Sequence, residues 1–191
     1  ELVPADLLVK KIRIQVPKPL PRAMDPVDSQ RFLATIDNIR DRALILVLLR
    51  TGMRIGELLN TTVDDLNLAE QKIFIMIGEK NRLGRTVCIS DDACNALKKW
   101  LRKRDSSQKY LFYGLRGQPL GYSRARDILR TYLKTAGLAH KGYTLHCLRH
   151  TFATDLLNAG MRLECLQQLL GHSSLEMTLR YARLTDKTRE E

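Results

Sequence analysis

The side chains best suited to chemistry fall in five short stretches. Thr51-Gly-Met-Arg54-Ile-Gly-Glu57-Leu is a tight turn with an arginine at the start of a helix. Arg54 could hold an anion there, helped by the free backbone N–H groups of a helix start. It could equally be a surface arginine paired with Glu57. Lys80 sits on a turn between two β-rich runs, where a lysine is either merely solvated or functional. His146-Cys-Leu-Arg149-His150 opens a helix, and His146 and His150, four residues apart, share a face. With His172 they would make three zinc ligands, as in a metallohydrolase. The zinc-protease helix motif needs a Glu after its first histidine, however, and Cys147 stands there. The alternative is that His146 and His150 are helix residues with local hydrogen bonds. Leu170-Gly-His172-Ser-Ser precedes a last helix carrying Tyr181. A tyrosine on an amphipathic helix is ordinarily a core or rim residue.

These positions require a scaffold, and the 191 residues (21.9 kDa) suffice for one domain with a short appendage. A hydrophobic content of 44 % supports a core, and 28 % charged residues without a low-complexity tract argue against wholesale disorder. The longest apolar run, Ala43 to Leu49, is far short of the ~20 residues of a membrane helix and suits a buried one. A helix is predicted from Asp25-Pro26-Val27-Asp28, with Asp25 as cap and Pro26 in the first turn. Others are predicted at Arg40–Thr51, closed by Gly52, then at Arg54–Asn60 and from Ser90 to Arg104. Further helices are expected at 122–136, 145–159, 162–170 and 174–183, the last with a Ser173/Glu176 capping box. Lys72–Ile77, Arg85–Ile89 and a shorter Leu66–Leu68 read as strands, with Gly78, Lys80, Asn81 and Gly84 in the intervening turn. The expected fold is mainly α with a small antiparallel β-sheet (α+β). Residues 1–22 combine Pro4, Pro17, Pro19 and Pro21 with five basic residues and read as an extended interdomain arm. The chain begins at Glu1 rather than Met, so it is expected to be a fragment whose folded domain spans 23–191.

Thirty-two Lys and Arg against 21 Asp and Glu give a net charge of +11 and a pI near 9.8. Such an excess points to a polyanion, with nucleic acid the first candidate. Arginine predominates over lysine, which favours bidentate phosphate contacts. Cys88, Cys94, Cys147 and Cys165 form no C-x-x-C pair and read as free thiols of a reducing, intracellular protein.

Taken together, over roughly residues 20–186, the stretches resemble the catalytic domain of the tyrosine recombinases. This is the family of phage and integrative-element integrases and of recombinases that resolve chromosome dimers. The first arginine box of the family is similar to Thr51-Gly-Met-Arg54-Ile-Gly-Glu57-Leu, which supplies Arg54 and a supporting acid, Glu57. The hairpin lysine matches Lys80, five residues before an Arg85-Thr-Val that resembles the family's Arg-x-Val. The His-x-x-Arg box matches His146 and Arg149, the Leu-Gly-His element matches His172, and the nucleophile matches Tyr181. Leu145 stands where many members have Pro or Ala, Cys88 where many have Pro, Val63 replaces a frequent Trp, and Gly78-Glu79 replaces a commoner Gly-Lys-Gly.

The resemblance implies the tyrosine-recombinase catalytic fold and a site-specific recombinase that cuts double-stranded DNA through a 3′-phosphotyrosyl intermediate, without metal, ATP or other cofactor. The residue types suit that chemistry. Two guanidiniums, Arg54 and Arg149, can clamp the non-bridging oxygens in a fork, and His172 can add a hydrogen bond. A phenol of ordinary pKa ~10 needs a base, for which His146 is the candidate. The leaving 5′-oxygen needs a proton, which Lys80 can supply. The resemblance further implies a homotetramer on DNA, a free fragment that is monomeric, an absent N-terminal DNA-binding domain, no membrane partner, and a cytoplasmic, nucleoid-associated place in a prokaryote. The competing readings are a DNA-binding module without cleavage, a type IB topoisomerase and the zinc hydrolase.

Overall fold

The computed structural model describes residues 22–75 and 84–171. Its centre is α2 (Ile39–Thr51), apolar on every side: all seven residues from Ala43 to Leu49 are buried. Such a helix must be enclosed rather than lie on a surface, and here α4 (Asp91–Lys103) and α6 (Leu145–Asn158) pack against it. Asn38 starts α2 by accepting from the N–H groups of Arg40 and Asp41 (3.0 and 3.2 Å). Gly52 ends it in the left-handed conformation at φ +61°, where its N–H donates to the Leu48 carbonyl.

The chain enters through α1 (Pro26–Ala34), capped by Asp25 on the Val27 N–H at 2.9 Å. This entry is fastened to α6. The Met24 N–H donates to Thr151 Oγ1 (2.8 Å), and Tyr143, just ahead of α6, donates its hydroxyl to Asp28 (2.7 Å). The start of α6 is itself held by Cys147, whose Sγ accepts from the Thr144 N–H at 3.2 Å. Cys147 thus stands where a capping box has Glu or Gln.

After α3 (Ile55–Asn60) the chain forms an antiparallel sheet ordered β1 (Leu66–Asn67), β2 (Lys72–Ile75), β3 (Arg85–Cys88). Its register sets Ile73 opposite Val87 and Ile75 opposite Arg85. Opposed residues share a face, so Ile73, Ile75 and Val87 bury one side while Phe74 and Thr86 face outward. On α4 the residues Ala93, Cys94, Ala96, Leu97 and Trp100 form the buried stripe. The Trp100 indole donates to the Leu111 carbonyl at 2.9 Å and stacks on Phe112 and Tyr113, fixing the extended segment that leads to α5 (Tyr122–Thr135). A smaller apolar cluster of Ala153, Leu166 and Leu170 joins α6 to α7 (Leu163–Leu170).

The expected mainly helical α+β architecture is what forms, with element ends within a residue or two of their expected places. Arg54 falls one residue from its expected place. It lies just outside α3 as its N-cap, in extended conformation, rather than within the helix. The segment 76–83 with Lys80, and residues 172–191 with His172, Tyr181 and the last expected helix, lie outside the described residues. Among the described residues no helix is long and apolar enough to cross a membrane.

Among the described glycines, Gly52 leaves the least room for a side chain. A Cβ there would lie 2.3 Å from Phe152 Cδ1 and 3.1 Å from Leu170 Cδ2, in a left-handed conformation that L-residues disfavour. Gly52→Ala should therefore lower unfolding stability by about 2–5 kcal/mol, the sum of the backbone and overpacking terms. Urea denaturation should show a lower midpoint at unchanged slope. An unchanged midpoint would contradict this geometry.

Candidate anion-binding site

Two of the expected site arginines meet at the end of one helix. Arg149, on α6, is only 8 % exposed. Its Nη1 donates to the Gly52 carbonyl at 2.5 Å and its Nη2 to the Leu170 carbonyl at 2.8 Å. Arg54 Nη2 donates to the next carbonyl, that of Gly171, at 3.0 Å. The last carbonyls of a helix have no partner within it and carry partial negative charge. Carbonyls at the C-terminal ends of α2 and α7 therefore hold both guanidiniums. Gly171 closes α7 at φ +63°, which keeps this turn tight.

Arg54 is paired with Glu57, as one of its two sequence readings expects. Glu57 Oε2 accepts from the Arg54 N–H at 2.8 Å, as an N3 acid does in a capping box, and Oε1 accepts from Arg54 Nη1 at 3.0 Å. The Arg54 side chain nevertheless remains 45 % exposed. It presents charge to solvent beside the buried Arg149.

The Glu57 carboxylate also receives Arg85 from β3, with Nη1 on Oε1 and Nη2 on Oε2, both at 2.8 Å. Burial pushes the Glu57 pKa up. The hydrogen bonds from Arg85 and from the Arg54 backbone outweigh burial and hold the carboxyl below its ordinary 4.5. Among the described residues, two guanidiniums, Arg54 and Arg85, thus converge on one carboxylate, and with Arg149 nearby the site stays cationic. Sequence reading used Arg85 only to locate Lys80. Its alternation with buried Val87 was the available signal.

His146 is exposed on the first turn of α6 and faces His150 one turn on, their ring centroids 6.3 Å apart. Arg149 and His146 are thereby placed by one rigid element, three residues apart. His150 is pushed down to about 4 by burial, then by His146 and Arg149, and is neutral at pH 7. Among the described residues no group of three His, Cys, Asp or Glu side chains could hold a metal. His172, the third ligand of the zinc reading, lies outside them, as do Lys80 and Tyr181.

The lowered His150 pKa makes stability pH-dependent with a defined sign. Between the ordinary 6.5 and about 4 the unfolded chain binds a proton that the folded chain refuses, so stability is intact above that window and falls through it on acidification. His150→Gln should flatten the unfolding free energy across this window by at most ~1.4 kcal/mol per pH unit. Denaturant titrations at several pH values should show the difference. Parallel pH curves for the two proteins would refute a partly enclosed, neutral His150.

Comparison with known proteins places this geometry. Residues 22–188 match the model of the phage integrase family. The tyrosine recombinase XerA of Pyrococcus furiosus is 35 % identical over 178 residues, covering 91 % of this chain and 61 % of that protein. The crystal structure of XerA recombinase superposes with a TM-score of 0.78 at 32 % identity, over 87 % of this chain and 60 % of that one. XerH recombinase, solved bound to a palindromic difH substrate as a post-cleavage complex, gives 0.77 at 27 % identity, over 90 % and 52 %. The chain thus spans about three fifths or less of the length of these relatives. An arginine box capping α3, a His-x-x-Arg box opening α6, and a family model covering nearly the whole described fold lead to one conclusion: this chain belongs to the phage integrase family of tyrosine recombinases.

Proposed function

We propose that residues 23–191 are the catalytic domain of a site-specific DNA recombinase, with residues 1–22 as the arm to a preceding DNA-binding domain. The observation that carries this reading is the convergence of Arg54 and Arg149 on the consecutive carbonyls of Gly171 and Leu170. Two guanidiniums held from behind, one buried and one exposed, form a preorganised receptor for the paired oxygens of a phosphodiester. The net charge of +11 and the difH-bound XerH relative favour duplex DNA as the substrate.

In the proposed reaction the Tyr181 oxygen attacks phosphorus. The phenolic proton passes to His146, and the bond to the 5′-oxygen breaks as the tyrosyl–phosphate bond forms. Lys80 gives the departing 5′-oxygen its proton. Arg54, Arg149 and His172 bind the non-bridging oxygens as their charge grows, and Glu57 supports Arg54. A 5′-hydroxyl from the partner strand reverses these steps and rejoins DNA. The ester conserves the bond, so neither ATP nor metal is required. The proposed working assembly is a homotetramer around two duplexes, monomeric when free, in a prokaryotic cytoplasm on the nucleoid.

Tyr181→Phe should abolish the covalent protein–DNA adduct on a nicked suicide duplex while leaving DNA binding near normal. An adduct that persists on a denaturing gel would assign the nucleophile to another tyrosine.

A sulfur substrate tests Lys80. A thiol of ordinary pKa ~8.5 leaves as thiolate with little need of a proton. Lys80→Ala should slow cleavage of normal DNA by about 10²–10⁴-fold, the usual worth of general acid catalysis. On a duplex with a bridging 5′-sulfur the same variant should cleave near the wild-type rate, whereas Arg54→Ala and Arg149→Ala stay slow on both. Failure of sulfur to restore Lys80→Ala would move the acid role to another residue.

A further inference from the structure

In the sequence Arg85 is a landmark five residues after Lys80. The sheet gives it a different standing. Opposite Ile75 and two residues before buried Val87, it projects from the core face of β3. A cation on that face must be paired, and its partner lies across the fold on α3. Arg85 takes both oxygens of Glu57 in a parallel fork, and the two side chains are only 12 % and 14 % exposed. Arg54 holds the same carboxylate less fully, through one guanidinium nitrogen at 3.0 Å and its main-chain N–H. Arg85 also borders the carbonyl turn that holds Arg54: a Cβ on Gly171 would lie 3.1 Å from Arg85 Nη1.

We propose that Arg85 is a positioning residue that acts on Arg54 through Glu57. Occupying both carboxylate oxygens, it balances the charge of Glu57 and leaves the guanidinium of Arg54 on the Gly171 carbonyl, cationic toward a bound phosphate. Without Arg85 the full charge of Glu57 falls on Arg54 alone. The pair then approaches neutrality, the fork geometry favours a bidentate Arg54–Glu57 contact, and the receptor loses attraction for the anion. Glu57 should therefore have opposite effects in two backgrounds: beneficial when Arg85 is present, inhibitory when it is absent. A residue that merely contacted DNA would not produce this inversion, and a pair that merely braced the sheet would show it in the melting temperature without any anion.

The inference rests on the recombinase reading, so the test has two readouts. Single-turnover cleavage of a suicide duplex and the rise in melting temperature with tungstate, a phosphate-like oxyanion, are measured for five proteins: wild type, Arg85→Ala, Arg85→Lys, Glu57→Gln and Glu57→Gln/Arg85→Ala. Arg85→Ala should slow cleavage by about 10–100-fold, the rate equivalent of one charge-assisted contact. Arg85→Lys should fall between it and wild type. The double variant should cleave faster than Arg85→Ala, and tungstate should protect it where it no longer protects Arg85→Ala. Melting curves without tungstate establish that each variant is folded at the assay temperature. A double variant no faster and no better protected than Arg85→Ala overturns the role of Arg85 while leaving the recombinase reading intact. Wild type that does not cleave, alongside the full tungstate pattern, overturns the recombinase reading and supports the role of Arg85. Wild type that neither cleaves nor gains protection overturns both.

Discussion

A guanidinium that is 8 % exposed can stay inside a protein only where its donors find acceptors, and Arg149 finds them at the ends of two helices. The Gly52 carbonyl follows α2 and the Leu170 carbonyl ends α7, so the partial negative charge of both helix termini compensates a full positive one. Much of the remaining packing serves this arrangement. The turn at Gly52 has to pass Phe152 without a side chain, α7 has to reach back toward α2, and α6 has to hold its first turn in place. The contacts of Met24 with Thr151 and of Tyr143 with Asp28 secure α6 to the entry of the chain.

Around this buried cation the rest of the site is a problem of charge balance. In the proposed receptor Arg54 must remain near enough to the Gly171 carbonyl to be oriented and free enough to meet an anion. Glu57 orients it through the backbone N–H and Nη1 but would, alone, also neutralise it. In the proposed role Arg85 resolves the conflict, and the structure shows it engaging the same carboxylate from the sheet. The pairing links α3 to β3, the strand that follows the segment carrying Lys80, so the arginine receptor and that strand share one electrostatic contact. Both side chains are mostly shielded from water, where removal of one partner from such a pair costs about 3–5 kcal/mol.

His150 shows how the same burial separates two similar residues. It lies one turn from His146 on the same helix, yet it is partly enclosed and driven neutral, while His146 stays exposed at the helix start. The division of labour between an accessible imidazole and an uncharged packing residue follows from position along α6, not from residue type.

The sequence by itself determined what depends on neighbours a few residues away. The apolar run 43–49 required a buried helix, Gly52 marked its end, and the spacing of Arg54 to Glu57 allowed the two to pair. The alternation Arg85-Thr-Val also placed Arg85 on the inner face, because strand periodicity is a local property of the backbone. Its destination on Glu57 was not legible, nor was the burial of Arg149 or the lowered pKa of His150. These depend on chain segments distant in sequence: Gly171 reaches Arg54 and Leu170 reaches Arg149 only once α7 has folded back against α6 and the end of α2. Tertiary packing alone decides which carbonyls a guanidinium meets and how much water remains beside it, and those two quantities set the charge that a cluster of arginines presents.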